Sequence, residues 1–251
     1  MRLQRRSGLA LALLLAASGC AQAPTRKARE GAEIHFQLGA EALQANRRED
    51  ALREFGEALS QDERHAPAHL GRGITYQYFG KLAEAEADYR RAIELDPGFS
   101  DAHNALGQLL AQTGRLEGAV ASFDRALENM LYTQAYVARC NKGQTLYRMG
   151  RRDEGVAELR ACLATAPRYC PGHRELGRIQ LEEGKVKDAL VSLRRYSELC
   201  DKVPDAWFQL GLAQMKAGDT DQARAAFERC ESIATDGPLS EECRKAGTAL
   251  R

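Results

Sequence analysis

The sequence predicts an all-α fold, a superhelical solenoid of six helix-turn-helix repeats with a C-terminal capping helix, on three observations. Glycine recurs at Gly39, Gly73, Gly107, Gly143, Gly177 and Gly211, at intervals of 34, 34, 36, 34 and 34 residues. Seven residues after each stands a turn-former, in order Asn46, Gly80, Gly114, Gly150, Gly184 and Gly218. Five residues further on is a small residue every time: Ala51, Ala85, Ala119, Gly155, Ala189 and Ala223. Three combs in one register describe a stacked repeat, whose neighbours bury a continuous core that no single unit forms alone.

The unit is clearest from Ala66, taken as position 1, to Pro97. Two amphipathic helices of about 13 residues each meet at the turn Gly80 and cross closely, so Gly73 and Ala85 stand at the contact points. Tyr76, Tyr89 and Ile93 lie at helical spacing around them and fill the space between the helices. Pro97 and Gly98 end the second helix. This pattern resembles the tetratricopeptide repeat. In that frame the repeats occupy residues 32–235, with a two-residue insertion near Asn129 to Tyr132, and a capping helix falls within 236–251, from about Leu239 to Leu250.

The chain before the repeats reads differently. Arg2, Arg5 and Arg6 precede an apolar run from Gly8 to Ala17, too short for the roughly 20 residues of a membrane-spanning helix. Residues 1–19 are therefore expected to be a signal peptide. The run ends Ala17-Ser18-Gly19-Cys20, which resembles a bacterial lipobox and implies a diacylglycerol on the Cys20 thiol. The lipidated cysteine and a small, polar, basic stretch, residues 20–31, are expected to form a flexible tether. Lipoproteins kept at the inner membrane typically carry Asp after the cysteine. Ala21 instead implies the inner leaflet of the outer membrane, with the fold anchored there and facing the periplasm.

Charge excludes one class of partner: 36 basic and 35 acidic residues, with no basic stripe, leave no footprint for nucleic acid. Nor is there a G-x-S-x-G, an H-E-x-x-H or a P-loop, so no catalytic residue and no small-molecule substrate is expected. Six cysteines follow Cys20, an even number in an exported chain, and no C-x-x-C pair marks zinc. In the repeat frame Cys140 and Cys162 share one end of repeat 4. Cys170 and Cys200 share the open end of repeat 5, and Cys230 of repeat 6 faces the capping helix that bears Cys243. Sequential disulfides 140–162, 170–200 and 230–243 are expected. His35, His69, His103 and His173 all hold position 4. Equivalent positions in neighbouring repeats lie roughly 8–10 Å apart, whereas zinc ligands lie about 2 Å from the metal, so these histidines are read as packing residues and no metal is expected.

In the tetratricopeptide family, positions 2, 5, 9, 12 and 13 of the first helices line a concave face. Carried over residue by residue, this implies a partner-binding groove of Phe36 and Leu43 in repeat 1 and Leu70, Ile74, Gln77 and Tyr78 in repeat 2. Asn104 and Gln108 in repeat 3 and Tyr147 in repeat 4 continue it. The apolar run of repeats 1 and 2 is expected to be solvated in the free protein and to mark a ligand surface. The tether folding back over it is the alternative. Lipobox, short tether and six repeats over the whole chain resemble the tetratricopeptide pilotin lipoproteins of type IV pilus systems. The resemblance implies an assembly factor without catalysis and without a cofactor beyond the lipid. It would bind subunits of the outer-membrane secretin and promote their insertion and multimerisation for pilus-dependent motility. The alternative reading is a periplasmic scaffold that recruits or regulates a cell-wall or polysaccharide enzyme.

Overall fold

A computed structural model describes residues 23–250; the expected signal peptide and Cys20 lie outside the described residues. Thirteen α-helices and no strand are found among the described residues. They pair as α1 (Arg26–Gln44) with α2 (Arg48–Gln61), α3 (Ala66–Tyr78) with α4 (Leu82–Leu95), and α5 (Ser100–Gln112) with α6 (Leu116–Glu128). Next come α7 (Ala135–Arg148) with α8 (Arg152–Thr165), α9 (Cys170–Glu182) with α10 (Val186–Leu199), and α11 (Pro204–Lys216) with α12 (Thr220–Ile233). The capping helix α13 (Pro238–Thr248) packs on α12.

Each pair is built around its small residues. The ring of Phe55 lies against Gly39, Tyr89 against Gly73, Phe123 against Gly107 and Phe227 against Gly211, where an added Cβ would come within 2.6–2.7 Å of the ring. The aromatic side chain fills the space that the glycine vacates, and all four rings are buried. The turns at Asn46, Gly80, Gly114, Gly150, Gly184 and Gly218 all have positive φ, the backbone region that glycine and asparagine tolerate best.

Alternating helices put every second-to-first connection on one edge of the solenoid and every first-to-second turn on the other. First helices form the inner row: α1 touches α3, α3 touches α5, and α5 touches α7, then α9 touches α11 and α11 touches α13. Between α7 and α9 the row is thinner. There the junction rests on α8 against α9, with Gly172 leaving room for Cys140 Sγ and Leu163.

One boundary differs from the sequence expectation. Residues 26–31, expected as flexible tether, are the first turns of α1. Thr25 Oγ1 caps the helix by accepting from the Ala28 N–H at 3.2 Å, and Arg26 pairs with Glu30 one turn on. Gly31 then seats the Gln61 side chain of α2, so the helix has a packing partner before the repeat frame begins.

Candidate functional site

The inner row carries two adjoining hollows between the first three repeats. The first, of about 480 Å³, is lined by Phe36, Leu43, Leu70 and Tyr78, with Phe99 and Asp101 closing its far side. The second, of about 390 Å³, is lined by Ile74, Gln77, Tyr78, Tyr89, Gln108 and Gln112. Tyr78 belongs to both. Its ring is 57% exposed and lies under the Arg48 guanidinium, 4.8 Å from the ring centre. A cation over an aromatic face steadies the ring without covering it from the groove side.

The expected groove residues divide. Phe36, Leu43, Leu70 and Tyr78 meet around the first hollow, and Ile74, Gln77, Tyr78 and Gln108 around the second. Asn104 instead accepts from Asn141 Nδ2 at 3.2 Å and links α5 to α7. Tyr147 lies apart from both hollows; partial burial, then Glu182 and Glu183 nearby, push its phenol up. Gln77 is engaged within the protein, accepting from Tyr89 Oη and donating to Gln112 Oε1, both at 2.8 Å. Burial also raises the Tyr89 phenol, so this oxygen stays a donor. The exposed amides at the rim are Gln108 and Gln112, and the oxygen of Gln112 is the one engaged with Gln77.

Leu70 and Ile74 are a correction to the expectation of a solvated face. Both are half-buried and pack against the central core of Tyr89, Leu106 and Leu109, because positions 5 and 9 share the helix face next to the glycine at position 8, where the helices meet. They line the groove with one side and hold the repeat with the other. Phe99 and Asp101 were not anticipated. Phe99 holds position 34, which is also aromatic at His65 and Tyr169, so the chain itself held the signal.

The position 4 histidines are tacks. Nε2 of His69, His103 and His173 faces a backbone carbonyl six residues upstream, those of Glu63, Pro97 and Pro167, each at 3.0 Å, and must donate to it. Trp207 Nε1 does the same to Asp201 at 2.8 Å. Each bond fixes the connection leading into its own helix. Position 23 supplies an acid in three repeats: Glu54 meets His35, Asp88 meets His69, and Glu158 meets Arg139. Where position 7 is also basic, the cation joins the same acid, as Arg72 does on Asp88 and Lys142 on Glu158. Burial opposes ionisation of Asp88, yet the hydrogen bonds from Arg72 and His69 outweigh it and hold the carboxyl below the usual range. Among the described residues no three His, Cys, Asp or Glu side chains converge as metal ligands. Disulfides join Cys140 to Cys162, Cys170 to Cys200 and Cys230 to Cys243, with Cα separations of 5.4, 6.3 and 5.9 Å.

The chain matches the tetratricopeptide repeat family over residues 70–129, 136–169 and 204–236. Among solved structures it is similar to PilW, described as a widely conserved type IV pilus biogenesis factor. The TM-score is 0.77 at 23% identity, over 84% of this chain and 97% of that one. It is also similar to PilF of Pseudomonas aeruginosa, with a TM-score of 0.75 at 18% identity, over 88% of this chain and 99% of that one. At these identities the likeness is one of fold. Among curated relatives, the Homo sapiens DnaJ homolog subfamily C member 3 is 24% identical over 81% of this chain. This chain spans 43% of that relative's length. The Mus musculus superkiller complex protein 3 is 28% identical over 82% of this chain and 14% of its own.

Proposed function

From the premise that this chain is a tetratricopeptide-repeat protein, we propose that it is a pilotin. In this reading it is a lipoprotein held through Cys20 at the inner leaflet of the outer membrane, where it binds secretin subunits and promotes their insertion and multimerisation for type IV pilus biogenesis. The observation that carries it is the apolar hollow around Phe36, Leu43, Leu70 and Tyr78 with an amide-lined hollow beside it. An apolar pocket takes a side chain of a bound segment, and amides at its rim pair with that segment's backbone. What supports the pilus assignment is the likeness to PilW over nearly all of that chain, together with the lipobox and short tether. The whole-chain arrangement resembles Tgl, the pilotin of gliding bacteria. No catalysis is required: the lipid raises the local concentration at the bilayer, and the hollow shields an apolar segment until the ring forms.

Replacing Tyr78 by a photocrosslinking phenylalanine in cells and identifying the captured protein tests this reading. Secretin subunits are the expected capture, and a cell-wall or polysaccharide enzyme in their place would overturn it. Tyr78→Glu is expected to abolish secretin multimers at an unchanged melting temperature, since the ring is exposed. Leu70→Glu with Ile74→Glu also places two carboxylates against the core and is expected to lower the melt as well. Normal multimers with Tyr78→Glu would move the binding site elsewhere.

A further inference from the structure

The repeat interval lengthens from 34 to 36 residues at one place, between Gly107 and Gly143, and the extra residues lie in the connection from α6 to α7. That connection is a built turn. Asn129 Oδ1 accepts from the Leu131 N–H at 3.0 Å, and the Asn129 carbonyl accepts from the Tyr132 N–H at 3.1 Å. Tyr132 is buried beneath it and donates its hydroxyl to Asp101 at 3.0 Å. The two residues held outward by this frame are Met130 and Leu131, 96% and 88% exposed, more than any other large apolar side chain among the described residues.

Their place in the fold matters as much as their exposure. Second-to-first connections share the edge at which α1 begins. From Arg26, α1 runs six residues ahead of Ala32, so it projects about 9 Å past the repeat frame at 1.5 Å per residue. Arg26, Lys27 and Arg29 are exposed on that projection. The described chain starts at Ala23, three residues after Cys20. A lipid on Cys20 therefore brings this edge, and not the opposite one, to the bilayer.

We propose that the Met130–Leu131 turn enters the phospholipid leaflet that carries the lipid anchor, making a second, non-covalent foothold that sets the orientation of the solenoid on the membrane. The inference rests on the lipid-anchor reading above. A bilayer is the occupant this turn fits. Two exposed apolar side chains at the tip of a turn are far too small by themselves for a stable protein interface of about 1,000 Å² or more. Lipid accepts an apolar tip without shape complementarity, and Lys27 and Arg29, beside the Arg26–Glu30 pair, leave the projection net positive, which suits anionic headgroups.

The test uses the full chain, acylated and reconstituted in phosphatidylethanolamine–phosphatidylglycerol vesicles, with its disulfides intact. Leu131→Cys is labelled with an environment-sensitive fluorophore. Lys81→Cys, on the opposite edge, is the control, and mass spectrometry reads the modification of Cys20. The expected result is a blue-shifted emission at residue 131, quenched several-fold more by nitroxide lipids than the emission at residue 81. Acylated, vesicle-bound protein with water-like emission at 131, or with equal quenching at both sites, overturns the foothold and leaves the lipid anchor standing. A blue shift at 131 in native outer membranes but not in protein-free vesicles also overturns it, in favour of a protein contact. Unacylated Cys20 on a chain that floats free of vesicles overturns both.

Discussion

At Gly143 and Gly155 the two helices of the fourth repeat meet backbone to backbone. An added Cβ on Gly155 would lie 2.6 Å from the Gly143 carbonyl oxygen and 2.8 Å from the Tyr147 nitrogen. Main-chain atoms cannot swing aside as a side-chain tip can, so Gly155→Ala is expected to cost about 1–3 kcal/mol. Gly56, inside α2 with nothing within 4 Å of its Cβ position, is the counterpart, and Gly56→Ala is expected to gain about 0.5–1 kcal/mol. Urea denaturation midpoints moving in opposite directions would check both. Asp88 makes the residue-scale argument in charge. Its folded pKa lies below its ordinary value of 3.8, so the stabilisation is present in full above that value and is lost as pH falls through the depressed one. Asp88→Asn leaves Arg72 and His69 without their buried anion. It is expected to cost about 3 kcal/mol at neutral pH, and less as the pH descends through the carboxylate range, when the wild type loses the same pairing. Chemical denaturation of both proteins across that range reads the convergence.

At the scale of elements, the bridges tie α7 to α8, the start of α9 to the end of α10, and α12 to α13. The last matters most to its helix, because α13 is the short terminal element and has a single flank to pack on. Beyond the bridge it is held by Arg224 Nη2 donating to the Leu250 carbonyl at 2.6 Å. Bridges of this loop length contribute about 2–4 kcal/mol each. Reduction is therefore expected to speed hydrogen exchange most in α13, measurably in α7 to α12, and not in α1 to α6, as peptide-resolved mass spectrometry would show. The repeat boundaries were legible because small residues recur wherever two helices must touch, and that constraint acts on each repeat alone. The start of α1 was not, since a stretch as polar as Arg26 to Glu30 carries no apolar period. Its helix depends on a Thr25 cap and on Gln61, a side chain thirty residues away from Gly31. The candidate groove was half legible for a related reason. A position number tells which face a residue occupies, as for Phe36 and Tyr78, but not whether a neighbour has already taken its hydrogen bonds, as Asn141 does with Asn104. The acids at position 23, beside the basic residues at position 4 and, where it too is basic, position 7, form a charge comb in repeats 1, 2 and 4, in the same register as the small residues and as readable in the sequence.

Taken whole, the molecule is uneven along its length. The hollows lie in repeats 1 to 3, which contain no cysteine, while the three disulfides among the described residues lie from repeat 4 onward. In a stacked array each unit answers chiefly to its neighbours, so compliance is distributed junction by junction rather than shared. The thin contact between α7 and α9 then has a mechanical meaning. Neither adjacent bridge crosses that junction, for one closes repeat 4 upon itself and the other closes repeat 5. Bending strain imposed between the two ends concentrates there. The first four repeats and the last two are therefore expected to move as two bodies about that seam, a displacement that small-angle X-ray scattering would register while the hollows of repeats 1 to 3 keep their lining.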